Sequence, residues 1–109
     1  MLNLLRFKEQ ADGIDAEDGI TGTEAYARYG SAVTAYLDQV GGRILLAAEP
    51  KESVVGPEAG EWDLVLLVEY PSRSAFLAMT SDPGYMEIHA HRAAALEDSR
   101  LIACTLLTG

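Results

Sequence analysis

Trp62-Asp63-Leu64-Val65-Leu66-Leu67-Val68-Glu69-Tyr70 is the stretch that decides how the rest of the chain is read. A run this rich in aliphatic, β-branched and aromatic side chains, closed by Pro71, forms a strand. Successive side chains of a strand point to opposite faces, so Trp62, Leu64, Leu66, Val68 and Tyr70 share one face, with Val65 and Leu67 on the other between Asp63 and Glu69. A sheet with helices on one side and water on the other alternates apolar and polar residues. This strand is apolar on both faces, so both are expected to be covered.

Downstream, Ser72 caps a short helix carrying Ala75, Phe76 and Met79, and Asp82-Pro83-Gly84 breaks it. A further helix runs from about Pro83 to Glu97, with proline in its first turn and Met86, Ala90, Ala93 and Leu96 on one stripe. A last strand is expected over Leu101 to Thr108, where both Leu101/Ala103/Leu107 and Ile102/Cys104/Leu106 are mostly apolar.

Upstream, Leu2 to Lys8 reads as a first strand, followed by a polar loop from Glu9 to Gly22 without periodicity. The next helix is capped by Thr21 or Thr23, with Glu24 three residues after Thr21, and is closed by Gly41-Gly42. Its apolar stripe is Tyr26, Tyr29, Val33, Tyr36, Leu37 and Val40. Gly30 in its middle costs about 1 kcal/mol against alanine and points to a close approach there. Arg43 to Glu49 is a second strand stopped by Pro50, with Ser53 to Val55 as a continuation before the turn signals at 56–60.

The order β-α-β-β-α-α-β is that of an α+β, ferredoxin-like domain spanning residues 1–109, a four-stranded antiparallel sheet with its helices on one face. A bare apolar sheet face is larger than the patch a monomer tolerates, so the second face is expected to meet another copy of the chain, giving a homodimer through the sheet. The alternative is a loop folded over the sheet, for which the polar segment 9–22 is a poor cover.

The chain has 109 residues, 8 basic and 17 acidic, a net charge of -9 and 49% apolar residues. That charge excludes a nucleic-acid footprint and attraction to anionic membrane surfaces, and the apolar content excludes disorder. The opening MLNLLRFK is too short and too soon charged for a signal peptide or a span, and no other stretch reaches the roughly 20 apolar residues of a membrane helix. A single cysteine, Cys104, forms no internal disulfide and reads as a small buried hydrophobe rather than a nucleophile. A cytoplasmic protein is expected.

Chemistry concentrates in His89-Ala90-His91-Arg92. Residues two apart on a helix point about 200° from each other, so the two histidines do not chelate one metal, and no metal site is expected. His89 and Arg92 share a helix face with Tyr85. Either this is an anion or carbonyl site, with Arg92 holding a carboxylate or enolate and His89 carrying a proton, or it is a solvated helix side with Arg92 paired to Glu97, Asp98 or a partner chain. Asp63 and Glu69 lie about 20 Å apart at strand rise, too far for an acid/base pair, and are expected to pair with Arg6 or Arg43. Tyr26, Tyr29 and Tyr36 either edge a ligand pocket or belong to the core. No phosphate loop, nucleophile elbow or Cys/His metal spacing is present, and no cofactor is indicated.

Trp62-Asp63 through Glu69-Tyr70-Pro71-Ser72, then Ser81-Asp82-Pro83, Tyr85 and, seven residues later, Arg92 resembles the signature of the bacterial family known as domain of unknown function 1330. The resemblance runs from the region of Tyr26 to the last strand. That family is similar in fold to the dimeric α+β barrels, a ferredoxin-like superfamily with cofactor-free monooxygenases, muconolactone isomerases and dye- or chlorite-type haem enzymes. The resemblance implies a homodimer with two sheets face to face and a ligand between the sheet and helices of one protomer. By analogy Tyr26, Trp62, Asp63 and Tyr85 are the expected ligand-binding positions, and His89 and Arg92 the catalytic ones. The long acidic segment before the first helix departs from the family pattern, and no histidine matches a haem-ligand position. The family carries no assigned activity, and fold alone supplies none. The functional expectation is a small aromatic or carbonyl-bearing molecule bound between helices and sheet with cofactor-independent chemistry, or alternatively a non-catalytic dimerisation or binding module.

Overall fold

The computed structural model describes residues 1–57 and 60–107. Its strands are β1 (Leu2–Phe7), β2 (Arg43–Ala48), β3 (Leu64–Glu69) and β4 (Leu96–Ile102), and its helices are α1 (Gly22–Val40), α2 (Arg73–Thr80) and α3 (Pro83–Ala95). The strands form one sheet in the order β2-β3-β1-β4, with every neighbouring pair antiparallel. With α1 linking β1 to β2 and α2–α3 linking β3 to β4, this is the ferredoxin-like topology that the sequence indicates.

Local chemistry sets the helix ends. Thr21 and Glu24 form the capping box of α1, and Gly41 closes it in the left-handed region at φ 75°. Ser72 accepts from the Ala75 amide at the start of α2, and Asp82 accepts from the Gly84 amide ahead of α3, whose first residue is Pro83.

One sheet face carries the helices. Asn3, Leu5 and Val68 are buried there, and Tyr29, Val33 and Leu37 of α1, Met79 of α2 and Tyr85 of α3 form the core with Val68. The other face is bare. Register puts Leu2 opposite Leu67 and Ile102, Leu4 opposite Val65, and Leu46 opposite Leu67, all on that side. The molecule measures 38 × 34 × 16 Å, and its short axis accommodates a sheet and one layer of helices, with no third layer. Among the described residues no helix is long and apolar enough to cross a membrane.

Several elements differ from expectation. β3 begins at Leu64 because Asp63 ends the pairing: its amide donates to the Leu5 carbonyl at 2.7 Å, and its carboxylate accepts from the Phe7 amide at 2.9 Å. α3 stops at Ala95 and the chain passes directly into β4, which lies over Leu96–Ile102 rather than Leu101 to Thr108. The polar stretch is held there by ion pairs across the ladder, Arg6 with Glu97 (3.6 Å) and Asp98 (3.4 Å), while Arg100 pairs with Asp98 within the strand (2.7 Å). Residues 103–107 therefore lie beyond the ladder and Cys104 is exposed, not buried; Thr108 is outside the described residues. Ser53 to Val55 forms no strand, and Val54 and Val55 are fully open to solvent. Ala59 of the following turn signal is outside the described residues.

The segment 9–22 is more ordered than its composition suggests. It contains a 3-10 helix, Gly13–Asp18, and its flanks are tied down by Ala11 N–H to Ile20 O (2.9 Å) and Asp12 N–H to Ala94 O (3.1 Å). Asp15, 1% exposed, accepts from Arg28 Nη1 at 2.9 Å and is bonded to His91 Nδ1 at 2.9 Å. The close approach expected at Gly30 is instead at Gly22, where a Cβ would stand 2.3 Å from the Lys8 carbonyl oxygen and 2.6 Å from that of Ala95. Nothing lies within 4 Å of a Cβ at Gly30.

Candidate functional site

A cleft of about 510 Å³ opens between the helix layer and the sheet. Its floor is Asn3, Leu64, Leu66 and Val68; α1 contributes Tyr26, Tyr29, Gly30, Val33 and Leu37, and α3 contributes Tyr85, Met86, His89 and Arg92. Spacings of three and four put the α1 residues on one helix face, and Tyr85, His89 and Arg92 on one face of α3, so both helices turn their functional side chains into the same space. Its volume is within the range of small-molecule sites.

Aromatic contacts organise the walls. The Tyr26 ring lies 5.4 Å from those of Phe7 and Tyr29, and Tyr85 stands edge-on to Tyr29 and Tyr36 at 6.3 Å. The hydroxyls of Tyr29 and Tyr85 share a hydrogen bond of 3.0 Å. Burial raises the Tyr29 phenol above its ordinary range, with the Tyr85 hydroxyl adding to the effect, and pushes Tyr70 up to about 12. Tyr26 is raised by burial too, against the pull of the Arg92 charge.

His89 is exposed at the open side of the cleft, its ring 5.9 Å from that of Tyr85. Partial desolvation, then the Arg92 charge, hold its pKa below the ordinary value, so the imidazole is neutral at pH 7. Arg92 is half-buried, and among the described residues no carboxylate stands within ion-pair distance of it. Glu97 and Asp98, its expected partners, go to Arg6 and Arg100.

The structure brings Tyr26, Tyr85, His89 and Arg92 together and leaves Trp62 and Asp63 elsewhere. Trp62 lies under the Arg100 guanidinium, 5.3 Å from the ring centre, beside a small hollow that includes Lys51, Ser53 and Pro57. Asp63 is occupied with the backbone of β1. Glu69 pairs with Arg43 at 2.8 Å, and His91 faces Asp15 on the other side of α3. Asn3 and Gly30 are among the cleft residues that the sequence does not mark as ligand contacts. Their signal was present: each is the one non-apolar or missing side chain on an otherwise apolar inward face. Among the described residues no group of three His, Cys, Asp or Glu side chains is placed to hold a metal ion.

Residues 16–105 match the family described as Domain of unknown function (DUF1330). Among solved structures, RPA0582, a protein of unknown function from Rhodopseudomonas palustris, is similar with a TM-score of 0.90 and 40% identity, over 99% of this chain and 81% of that one. The methylated form of RPA0582 gives a TM-score of 0.91 at 40% identity, over 98% of this chain and 78% of that one. Among curated proteins nothing matches. With the family match covering most of its length and a relative 40% identical along nearly all of it, the chain belongs to the domain of unknown function 1330 family.

Proposed function

We propose that this protein is a cytoplasmic homodimer that binds a small aromatic or carbonyl-bearing molecule in the cleft between helices and sheet and acts on it without a cofactor. The observation that carries the reading is the convergence of Tyr26, Tyr85, His89 and Arg92 on one cleft. A module built for assembly alone would fill this space with core side chains. The acidic charge and single cysteine fit the cytoplasm, and the bare apolar sheet face fits a second copy.

The chemistry these groups suit is proton transfer at a carbon next to a carbonyl. The neutral His89 imidazole takes the proton as the C–H bond breaks, and the electron pair moves to the carbonyl oxygen. Where the substrate is a β,γ-unsaturated carbonyl compound, the dienolate so formed is stabilised by the Arg92 guanidinium, and return of the proton from His89 to the γ-carbon moves the double bond into conjugation and completes an isomerisation.

The test is amide-resolved NMR of the intact protein with acetophenone and 4-hydroxybenzaldehyde as probes. Shifts concentrated at Gly30, His89 and Arg92 are expected. Shifts on the other sheet face only, or none at millimolar probe, overturn the reading.

A further inference from the structure

We infer that the cleft takes a monocarboxylate with a flat apolar body, its carboxylate on Arg92 and Tyr26 and its body across Gly30. The inference rests on the reading of this cleft as a ligand site and adds the ligand's charge and shape.

The charge follows from how this chain disposes of its cations. It has 17 acidic side chains for 8 basic ones. Arg6, Lys8, Arg28, Arg43, Lys51 and Arg100 each have a carboxylate within 4.0 Å. Among the described residues that leaves Arg73, exposed at the start of α2, and Arg92, half-buried in an aromatic cleft whose lining holds no aspartate or glutamate. A guanidinium withdrawn from water is costly without a counter-ion, and acids are in surplus everywhere else on this molecule. An anionic ligand supplies the missing partner.

One charge is what the cleft can meet. Arg92 is its only permanent cation, His89 is neutral at pH 7, and the Tyr26 hydroxyl on the cleft wall offers a donor without charge. A phosphate dianion would bring a second negative charge into a molecule already at -9. A carboxylate is planar, singly charged and matched to the guanidinium fork.

The shape follows from Gly30. Its backbone is ordinary helix rather than the left-handed region, and nothing stands within 4 Å of the place its Cβ would occupy. Neither conformation nor packing in the free protein requires glycine there, yet it forgoes about 1 kcal/mol of helix propensity. Gly30 is one turn from Tyr26 on the cleft wall, so a ligand anchored at Arg92 and Tyr26 extends over it. The close approach this glycine permits is that of the ligand body.

The test is calorimetric titration of the intact protein with two isosteric pairs, benzoate against benzamide and 2-naphthoate against 2-naphthamide. We expect each carboxylate to bind at least tenfold more tightly than its amide, Arg92→Gln to abolish that preference, and Gly30→Leu to weaken carboxylates and amides tenfold or more without lowering the melting temperature. Equal binding of acid and amide to the unaltered protein overturns the assigned charge while leaving the cleft as a ligand site. A carboxylate preference that survives Arg92→Gln overturns it too, and unchanged binding to Gly30→Leu overturns the assigned shape. No binding of either pair at millimolar concentration overturns the cleft reading and this inference together. The acid-to-amide comparison needs no variant, so poor folding of Arg92→Gln does not blunt it.

Discussion

At Gly22 the start of α1 meets the ends of β1 and α3: its amide donates to the Lys8 carbonyl at 3.0 Å, and the Lys8 amide donates to the Ala95 carbonyl at 2.8 Å. The atoms that a methyl at Gly22 would strike are backbone and cannot rotate away. Gly22→Ala is expected to cost more than about 3 kcal/mol in urea unfolding, and a loss below about 1 would contradict this account of the junction. A second residue-scale expectation concerns His89. Burial and the Arg92 charge both oppose the imidazolium, so the folded protein binds this proton more weakly than the unfolded chain. Stability from this site is therefore present above the ordinary histidine value and declines as pH falls from there toward the lower folded value. Arg92→Gln removes one cause, and the His89 midpoint followed by the NMR signal of its ring C–H should rise; a fall would show that the two side chains do not interact. The spacing of Tyr85, His89 and Arg92 was legible because helical geometry alone puts them on one face. The departure of Trp62 and Asp63 was not, since it depends on the Asp63 carboxylate capturing the Phe7 amide, a contact between segments far apart in sequence.

At the scale of elements, the caps at Gly41 and Ser72, and Thr21 as one of two candidates, were readable because capping is settled within a few residues, whereas Asp82 read only as a helix break and proves to cap α3. β4 was not readable. Its apolar-looking neighbour at 101–107 has the better strand composition, but the ladder with β1 is anchored by the charged pairs of Arg6 with Glu97 and Asp98, and charge complementarity across strands is invisible to a periodicity. The 3-10 helix was hidden for a similar reason: what orders it is a buried carboxylate whose partners come from α1 and α3. Asp15→Ala removes the acceptor of both, and a loss of about 2–3 kcal/mol is expected, with faster amide exchange at Ala11 and Asp12. If those amides exchange unchanged, the segment is held by its backbone bonds alone.

At the scale of the whole molecule, the bare sheet face is a contiguous run of apolar side chains that the fold leaves uncovered. Ion pairs Arg43–Glu69 and Arg100–Asp98 border Leu2, Leu4, Leu46, Val65 and Leu67, giving an apolar centre with a charged rim, the anatomy of a protein interface. Light scattering should give about twice 11.7 kDa, and Leu67→Lys, which puts a charge at the centre of the patch, should give a monomer that remains folded by circular dichroism. A species near 11.7 kDa at high concentration of the unaltered protein would end the homodimer proposal.

The strand order carries a consequence for how the chain comes to be folded during synthesis. β1 leaves the ribosome first yet occupies an interior position, flanked by β3 and β4. At roughly 5–20 residues per second, the apolar LNLLRF segment waits several seconds for β3, and longer for β4, before its backbone finds sheet partners. Throughout that interval it is an unpaired, aggregation-prone strand, and the acidic stretch that follows it directly acts as the gatekeeper that keeps the nascent chain apart from its neighbours.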